Sequence, residues 1–431
     1  MLNRDSKTRQ TFLNKSKASL ALGLTASQTI FAESQKTKVY KVGLVGCGGR
    51  GSGAALNTLL GDAKVELIAM ADVFEKRLTT SYTRLKSNKQ VGDRVKVSPE
   101  NKFVGFDAYK KLLETDVDIV ILATPPAFRP LQLKAAVEAN KHVFAEKPIA
   151  VDAFGVKMAE LACEEAEKKK LFVVAGLQTR YEAKTQEMVK MIEEGAIGDI
   201  VSLNTVRYQG AYKVKHYSKD AGDVSRQIGN WLNYTWLSGD IVVELFVHEI
   251  DRLSWLMKED PISCYATGGK QQPRSKYAPG QNYDHFSATV LYPGGVKMNV
   301  SVRQQMGADH VWTMDVGGSK GHCHGIGREV YQFTGKVNKE LREEKVKAGH
   351  QLEHNEMYRA LRAGDYINNG DYVCKSTLIA VMIREAAYTG KEIKWSDMED
   401  RKVANVDLEA LGYNTALPSW KEAVPGMNGI V

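Results

Sequence analysis

Residues 41–72 read KVGLVGCGGRGSGAALNTLLGDAKVELIAMAD, and the parsing of that run decides the fold. Positions 42–46 form a short apolar run ending in glycine, the mark of a strand covered on both faces. Gly46, Gly48 and Gly51 then fall at G-x-G-x-x-G spacing, with Gly49 and Arg50 inside the turn, and a helix-forming run over 54–60 follows at once. The three glycines do different things. The first allows the tight turn, the second lets the backbone approach a pyrophosphate, and the third lets the helix lie close on the strand. The helix then turns its free N–H groups and the positive end of its dipole toward the anion. A second apolar run, 65–71, closes on Asp72, about 20 residues past the glycines, where a carboxylate meets the ribose hydroxyls of a dinucleotide. An isolated glycine motif says little; one in register with two strands, a helix and an acid predicts a dinucleotide-binding βαβ unit. Asp72 favours NAD, because a carboxylate repels a 2′-phosphate, and Arg77 nearby leaves NADP as the lesser alternative.

Beyond Asp72, helical and strand signals keep alternating: helix over 106–114, apolar strand over 117–123, helix over 130–139, strand over 142–145, helix over 153–169, strand over 172–176. Such alternation predicts a doubly wound parallel sheet, an α/β Rossmann domain over 35–178. Ligands collect outside the carboxyl ends of its strands, which singles out the loops 46–51, Thr124-Pro125-Pro126 and Glu146-Lys147-Pro148, with Gln178 at the end of the last strand. After Gln178 the pattern changes. A helix over 185–194 leads into strands over 201–208, 262–267, 285–292, 296–303 and 312–316, with Pro293-Gly294-Gly295 as a hairpin signal. Residues 179–431 therefore read as an α+β domain for substrate and oligomer contacts, with a mostly antiparallel open sheet. Helices cover one face, among them 242–257, and a second face that stays apolar would join subunits into a homo-oligomer. Two late helices are expected over 354–363 and 376–388.

Composition bounds the rest. The chain has 431 residues, 43% hydrophobic and 26% charged, enough for two domains with cores of their own. Of its net charge of +8, most lies in residues 1–38, where seven Lys/Arg face two acids, so a nucleic-acid partner loses its electrostatic basis. Residues 1–34 read as an export signal or a disordered leader: a basic start, the apolar run Leu20 to Leu24, and TRQTFLNK, similar to a twin-arginine signal with Gln10 in place of the second arginine. A periplasmic location follows as the expectation. No other run has the eighteen or so apolar residues that span a bilayer. The five cysteines are scattered and never in C-x-x-C spacing, so they read as small core residues and indicate no disulfide framework or zinc site. His322-Cys323-His324 has no acid close in sequence, and no metal is expected.

The chemistry concentrates in GDIVVELFVHEIDRLSWLM, residues 239–257. On a helix, Glu244, His248, Asp251 and Trp255 share one face, beside an apolar stripe of Phe246, Ile250, Leu253 and Met257. A histidine moves protons near neutral pH, and a carboxylate one turn earlier can orient its ring. Taken alone, the segment reads more readily as a solvated helix face with an incidental histidine.

The glycine turn, Ala123-Thr124-Pro125-Pro126, Glu146-Lys147-Pro148 and the helix ending H-x-x-D together resemble the Gfo/Idh/MocA oxidoreductases, from about residue 41 to residue 388 and in the same order. In that family the E-K-P lysine contacts both cofactor and reacting hydroxyl, which implies this role for Lys147. The helix pattern G-G-x-x-x-D-x-x-x-H-x-x-D implies His248 as proton acceptor and Asp251 as its last acid. Here Asp240 stands for the second glycine and Glu244 for the first aspartate. The resemblance implies oxidation of a secondary hydroxyl on a sugar, glycoside or polyol: His248 takes the proton, Lys147 steadies the oxygen, and hydride passes to the nicotinamide. Glu146 and Gln178 fall with the cofactor. Arg180, Tyr181, Tyr208, Trp231, Tyr234 and Trp236 are the candidate carbohydrate contacts, although core packing explains any one of these aromatics as well. Glu353-His354 begins the late helix near enough to be considered. One alternative shares the same residues, an NAD-dependent glycoside hydrolase that oxidises transiently with retained cofactor; a second, a cofactor-binding regulator without catalysis, is disfavoured by the retained lysine and histidine.

Overall fold

A run of apolar residues with no polar face must be covered on both sides, and the N-terminal strands are. The computed structural model describes residues 37–212, 214, 222–272, 280–342, 348–398, 406–418 and 421–427. The leader expected over 1–34 lies outside the described residues. Strands β1 (Tyr40–Val45), β2 (Val65–Asp72), β3 (Lys102–Val104), β4 (Ile119–Leu122), β5 (His142–Ala145) and β6 (Val173–Ala175) form a six-stranded sheet in the order β3-β2-β1-β4-β5-β6. Every pairing in it is parallel. The order reverses between β1 and β4, the place where a doubly wound sheet opens a crevice. The short β3 has no periodic signal of its own and was not among the expected strands.

The second sheet contains β7 (Ile200–Gln209), β8 (Ser263–Gly269), β9 (His285–Leu291), β10 (Lys297–Gln304), β11 (Val311–Gly318), β12 (Gly321–Ile326), β13 (Val330–Gly335), β14 (Lys339–Arg342) and β15 (Ile393–Lys394). Their order is β14-β13-β12-β11-β7-β10-β9-β8-β15, antiparallel throughout except for the β7–β10 pair. Met298, Val300 and Val302 alternate into a core that also holds Phe246, Ile250, Leu253, Ile379 and Ile383 from covering helices. The opposite face departs from the apolar surface expected of it. Tyr265, Thr289, Asn299, Asn204, Asp315, His324, Gln332 and Glu340 stand in register across eight strands. They make a polar ladder, with Thr289 Oγ1 donating to Asn299 at 2.8 Å and Asn299 to Asn204 at 3.0 Å.

The late helices tie the halves together. Gly349–Ala363 places Met357, Tyr358 and Leu361 in the core under β1, while Gly370–Thr389 gives Val373 and Cys374 to one core and Ile379 and Ile383 to the other. A helix buried on all sides needs no polar stripe, and only Asp371, Tyr372, Lys375, Leu378 and Thr389 interrupt the burial of this one. The five cysteines are free and buried.

Candidate active site

The turn after β1 has the backbone shape that its glycines permit. Gly46 has φ +94°, and a Cβ there would come within 2.7 Å of the Thr124 nitrogen; one on Gly51 would come within 1.8 Å of the Gly46 carbonyl oxygen. Gly48 and Gly49 differ: a Cβ on either would meet no atom within 4 Å, because both face a cleft lined also by Arg50, Asp72, Arg77, Thr124, Pro125 and Trp231. Helix Gly49–Gly61 starts at this cleft without a side-chain cap, so its first N–H groups remain available to an anion. Asp72 accepts from Cys47 N at 2.6 Å and Phe74 N at 2.8 Å, one bond on each oxygen, which leaves each oxygen a lone pair. Burial raises its pKa and those two bonds oppose the rise. Bare glycines, an uncapped helix start and an acid at the far end of the cleft fit a dinucleotide.

Lys147 leaves β5 beside this cleft. Its Nζ donates to the Glu244 carbonyl at 2.5 Å and lies 3.1 Å from Glu244 Oε1, while Tyr212 OH donates to Glu244 Oε2 at 3.2 Å. Two arginines buried to within 2% of full exclusion fix the loop that carries it. Arg129 donates to the Pro148 carbonyl and, at 2.6 Å, to that of Thr124; Arg384 bonds the Val151 carbonyl at 2.5 Å and that of Gly239 at 3.2 Å. Arg384 thus joins the E-K-P loop to the start of the helix region that bears His248. Burial lowers the pKa of Arg129 to about 10, against the pull of Glu146 and Glu244. His248 is half-buried with its Nδ1 unpaired among the described residues. Burial, then the charges of Lys147, Arg207 and Arg328, hold its pKa well below 6.5, so the ring is neutral and can accept a proton.

The helix expected over 242–257 is broken. It runs as Ile241–Glu244 and Val247–Leu256, with Phe246 N reaching back to the Ile241 carbonyl at 3.1 Å. Asp240 explains the pattern at its start: φ is +76°, a conformation that glycine takes freely, and the aspartate is held there by bonds from Ile241 N at 2.5 Å, Tyr283 N at 2.8 Å and Tyr388 OH.

Several expected contacts lie elsewhere. Asp251 is fully buried, accepts three bonds from Arg180 at 2.9–3.1 Å and one from Ser376 at 2.8 Å, and Arg180 is sandwiched between Trp255 and Tyr372. Asp251 has no face left for a sugar, and Arg180 is committed to it through Nε and Nη2. Tyr181 bonds Asn369 at 2.9 Å inside the fold, and burial raises its pKa. Tyr208 points to the open face, bonded to Ser301 Oγ at 2.7 Å, because the alternation that sends Arg207 toward Glu249 sends Tyr208 the other way. Tyr234 and Trp236 are core residues, with Trp236 Nε1 donating to Gln227 at 2.7 Å; Trp231 alone among these aromatics lines the cofactor cleft. Glu146 pairs with Arg50 at 2.9 Å behind the turn, Gln178 is buried against Gly349, and Pro126 is buried in the turn Pro126–Phe128. His354 stacks on Phe144 at 4.1 Å and bonds Thr58 at 2.8 Å; the histidine that shares the field of Lys147 and His248 is His350, one turn earlier. His322 and His324 both contact Asp315 Oδ1, at 3.2 and 2.7 Å; this acid, seven and nine residues earlier, corrects the expectation that none is close in sequence, because the β11–β12 hairpin folds it back onto them. Tyr212, Arg129, Arg384 and His350 were missed: none belongs to a motif, and a mid-helix arginine carries no sign of what it will bond.

Comparison with known families matches residues 40–177 to "Oxidoreductase family, NAD-binding Rossmann fold" and residues 185–324 to "GFO/IDH/MocA C-terminal domain", together more than half of the chain. The chain belongs to the Gfo/Idh/MocA oxidoreductase family. Its six-stranded parallel sheet is the family's NAD-binding Rossmann domain, and its mostly antiparallel sheet the family's C-terminal domain. This family member is 22% identical over 214 residues to "Uncharacterized oxidoreductase YrbE" of Bacillus subtilis (strain 168), covering 49% of this chain and 57% of that one, so the match spans less than two thirds of that relative. It is 23% identical over 281 residues to an inositol 2-dehydrogenase of Rhizobium meliloti (strain 1021), covering 65% and 74% of the two chains. A solved levoglucosan dehydrogenase in complex with NADH and levoglucosan shares its fold, with TM-score 0.66 and 17% identity over 82% of this chain and 99% of the other.

Proposed function

We propose that this family member is an NAD-dependent dehydrogenase acting on a secondary hydroxyl of a polyol or sugar. The observation that carries the reading is the meeting of Lys147 and Glu244, 97 positions apart, beside a neutral His248 and next to the glycine cleft. A bound nicotinamide supplies the hydride acceptor. The chain's own residues handle the oxygen: the Lys147 ammonium stabilises charge developing on it, and His248 accepts its proton. Glu244, held from the far side by Tyr212, fixes where the ammonium sits. Gly48, Gly49 and the start of helix Gly49–Gly61 hold the pyrophosphate, Asp72 the ribose. The relatives named inositol 2-dehydrogenase and levoglucosan dehydrogenase support a polyhydroxylated substrate. The test is NADH formation at 340 nm with inositols, free sugars and anhydrosugars; no reduction with any of them refutes the reading.

One observation favours the hydrolase alternative. The segment 406–418 lies against the second strand's end, where Tyr413 OH donates to the Val73 carbonyl and its ring meets Phe106 at 5.0 Å, beside the Asp72 end of the cleft. Tyr413 held at that end would slow cofactor exchange, which suits a retained NAD. Cleavage of aryl glycosides without net NADH identifies that chemistry. We also propose a homo-oligomer through the open face of the nine-stranded sheet, held by its polar ladder in place of the apolar contact expected, and export of the chain by its leader. A monomer by light scattering refutes the first, and a purely cytoplasmic fraction the second.

A further inference from the structure

Helix Gly349–Ala363 brings a histidine into the field of Lys147 and His248, and behind it a carboxyl group that nothing described so far explains. The His350 side chain is 34% exposed, yet its Nδ1 is buried and makes no hydrogen bond among the described residues. Its exposed edge is therefore the Nε2 edge. The charges that act on it come from Arg50 in the glycine turn, Arg328 in the turn between β12 and β13, and Lys147. It acts in turn on His248. One helical turn on, Glu353 has no exposed surface, and neither of its oxygens has a hydrogen-bond partner among the described residues. Its Oε1 lies 3.5 Å from His350 Nδ1.

A buried carboxylate with no donor carries a large desolvation cost. Glu146 and Glu182 add repulsion, and only Arg50 opposes them, so the Glu353 carboxyl is pushed well above the usual range. An imidazolium at His350 would face Arg50, Arg328 and Lys147, and burial with those charges lowers its pKa to about 3. Both penalties disappear together when the carboxyl keeps its proton and the imidazole stays neutral. We propose that Glu353 is a protonated carboxylic acid that closes the 3.5 Å separation to donate to Nδ1 of His350, which fixes the imidazole as the tautomer whose exposed Nε2–H faces outward as a neutral donor to a substrate hydroxyl oxygen held by Lys147 and His248. The identity of that oxygen rests on the polyol reading above; the tautomer rests on the His350–Glu353 geometry alone. Glu353 is thus a positioning residue and His350 a substrate contact, in a place where a cation would add to the charge already borne by Lys147.

The full chain labelled with ¹⁵N-histidine tests this, with the His350 resonances assigned by their loss in His350→Gln. The expected spectrum shows a neutral ring protonated on Nε2 from pH 6 to 8, unchanged in Glu353→Gln, whose amide donates in the same way, and altered toward mixed tautomers in Glu353→Leu. An imidazolium or an Nδ1–H tautomer in the wild type at pH 7 overturns the proposal. With an active polyol, His350→Ala should raise KM about tenfold, the loss of one hydrogen bond, with NADH affinity unchanged and Glu353→Gln near wild type. An unchanged KM overturns the substrate contact. If no polyol is oxidised, the functional reading fails while the spectrum still decides the tautomer.

Discussion

Asp251→Ala should unfold the protein more easily before it alters any chemistry. The family pattern ends in this aspartate, which suggests a ligand role, but the structure encloses it completely: its carboxylate takes bonds from Arg180 at 3.1, 2.9 and 2.9 Å and from Ser376 at 2.8 Å. Truncation leaves the Arg180 guanidinium, itself 13% exposed, without a counter-ion between two aromatic rings. Breaking a buried pair on one side costs about 3–5 kcal/mol. Replacing both partners by apolar residues, as in Arg180→Met with Asp251→Leu, removes the stranded charge and should recover most of that loss. Urea unfolding followed by tryptophan fluorescence reads this directly, since Trp255 contacts Arg180. Turnover per folded molecule is measured alongside. An Asp251→Ala protein with the wild-type midpoint and lost turnover would refute the structural role, as would a double variant no more stable than the single one.

Lys147→Ala should lower turnover about 10²–10⁴-fold, the range of a lost general acid–base or electrostatic contribution, while NADH binding changes only a few-fold; turnover at the wild-type level counts against the mechanism. Asp72→Asn removes the anion at the ribose end of the cleft while keeping a side-chain acceptor, so the ratio of NAD to NADP affinity should fall at least about tenfold in titrations that follow bound reduced cofactor, with an unchanged ratio as the adverse result. His142 gives a pH dependence. Burial, aided by Lys38, lowers its pKa to about 4, and its Nδ1 accepts from Phe172 N at 3.0 Å. The unfolded chain takes up that proton near pH ~6.5, so the contribution is complete above that value and is lost as pH falls toward 4. His142→Gln should flatten the fall of the urea midpoint between pH 7 and pH 4.5; parallel curves for the two proteins would show that the histidine is not responsible.

The glycine turn, Asp72, the E-K-P loop and the position of His248 were all legible because each is a local feature. A strand, a turn that only glycine permits and a helix follow one another within 32 residues, and the backbone geometry of each depends on its immediate neighbours. The break after Glu244 and the role of Asp240 were half visible, in a departure from the pattern whose meaning needed the φ of +76°. Partners are a different matter. Strand register sent Tyr208 to the open face, and helix phase put His350 in the field of Lys147 and His248 and His354 in the core, although the two are four positions apart. Arg180 met Asp251 across 71 residues and Lys147 met Glu244 across 97. Sequence alone determined which groups are chemically able to bind a dinucleotide and move a proton. Only the tertiary structure decided which of them are spent on one another, because a charge is satisfied by whatever the fold brings within about 3 Å, and that distance is set by packing between segments that carry no record of each other.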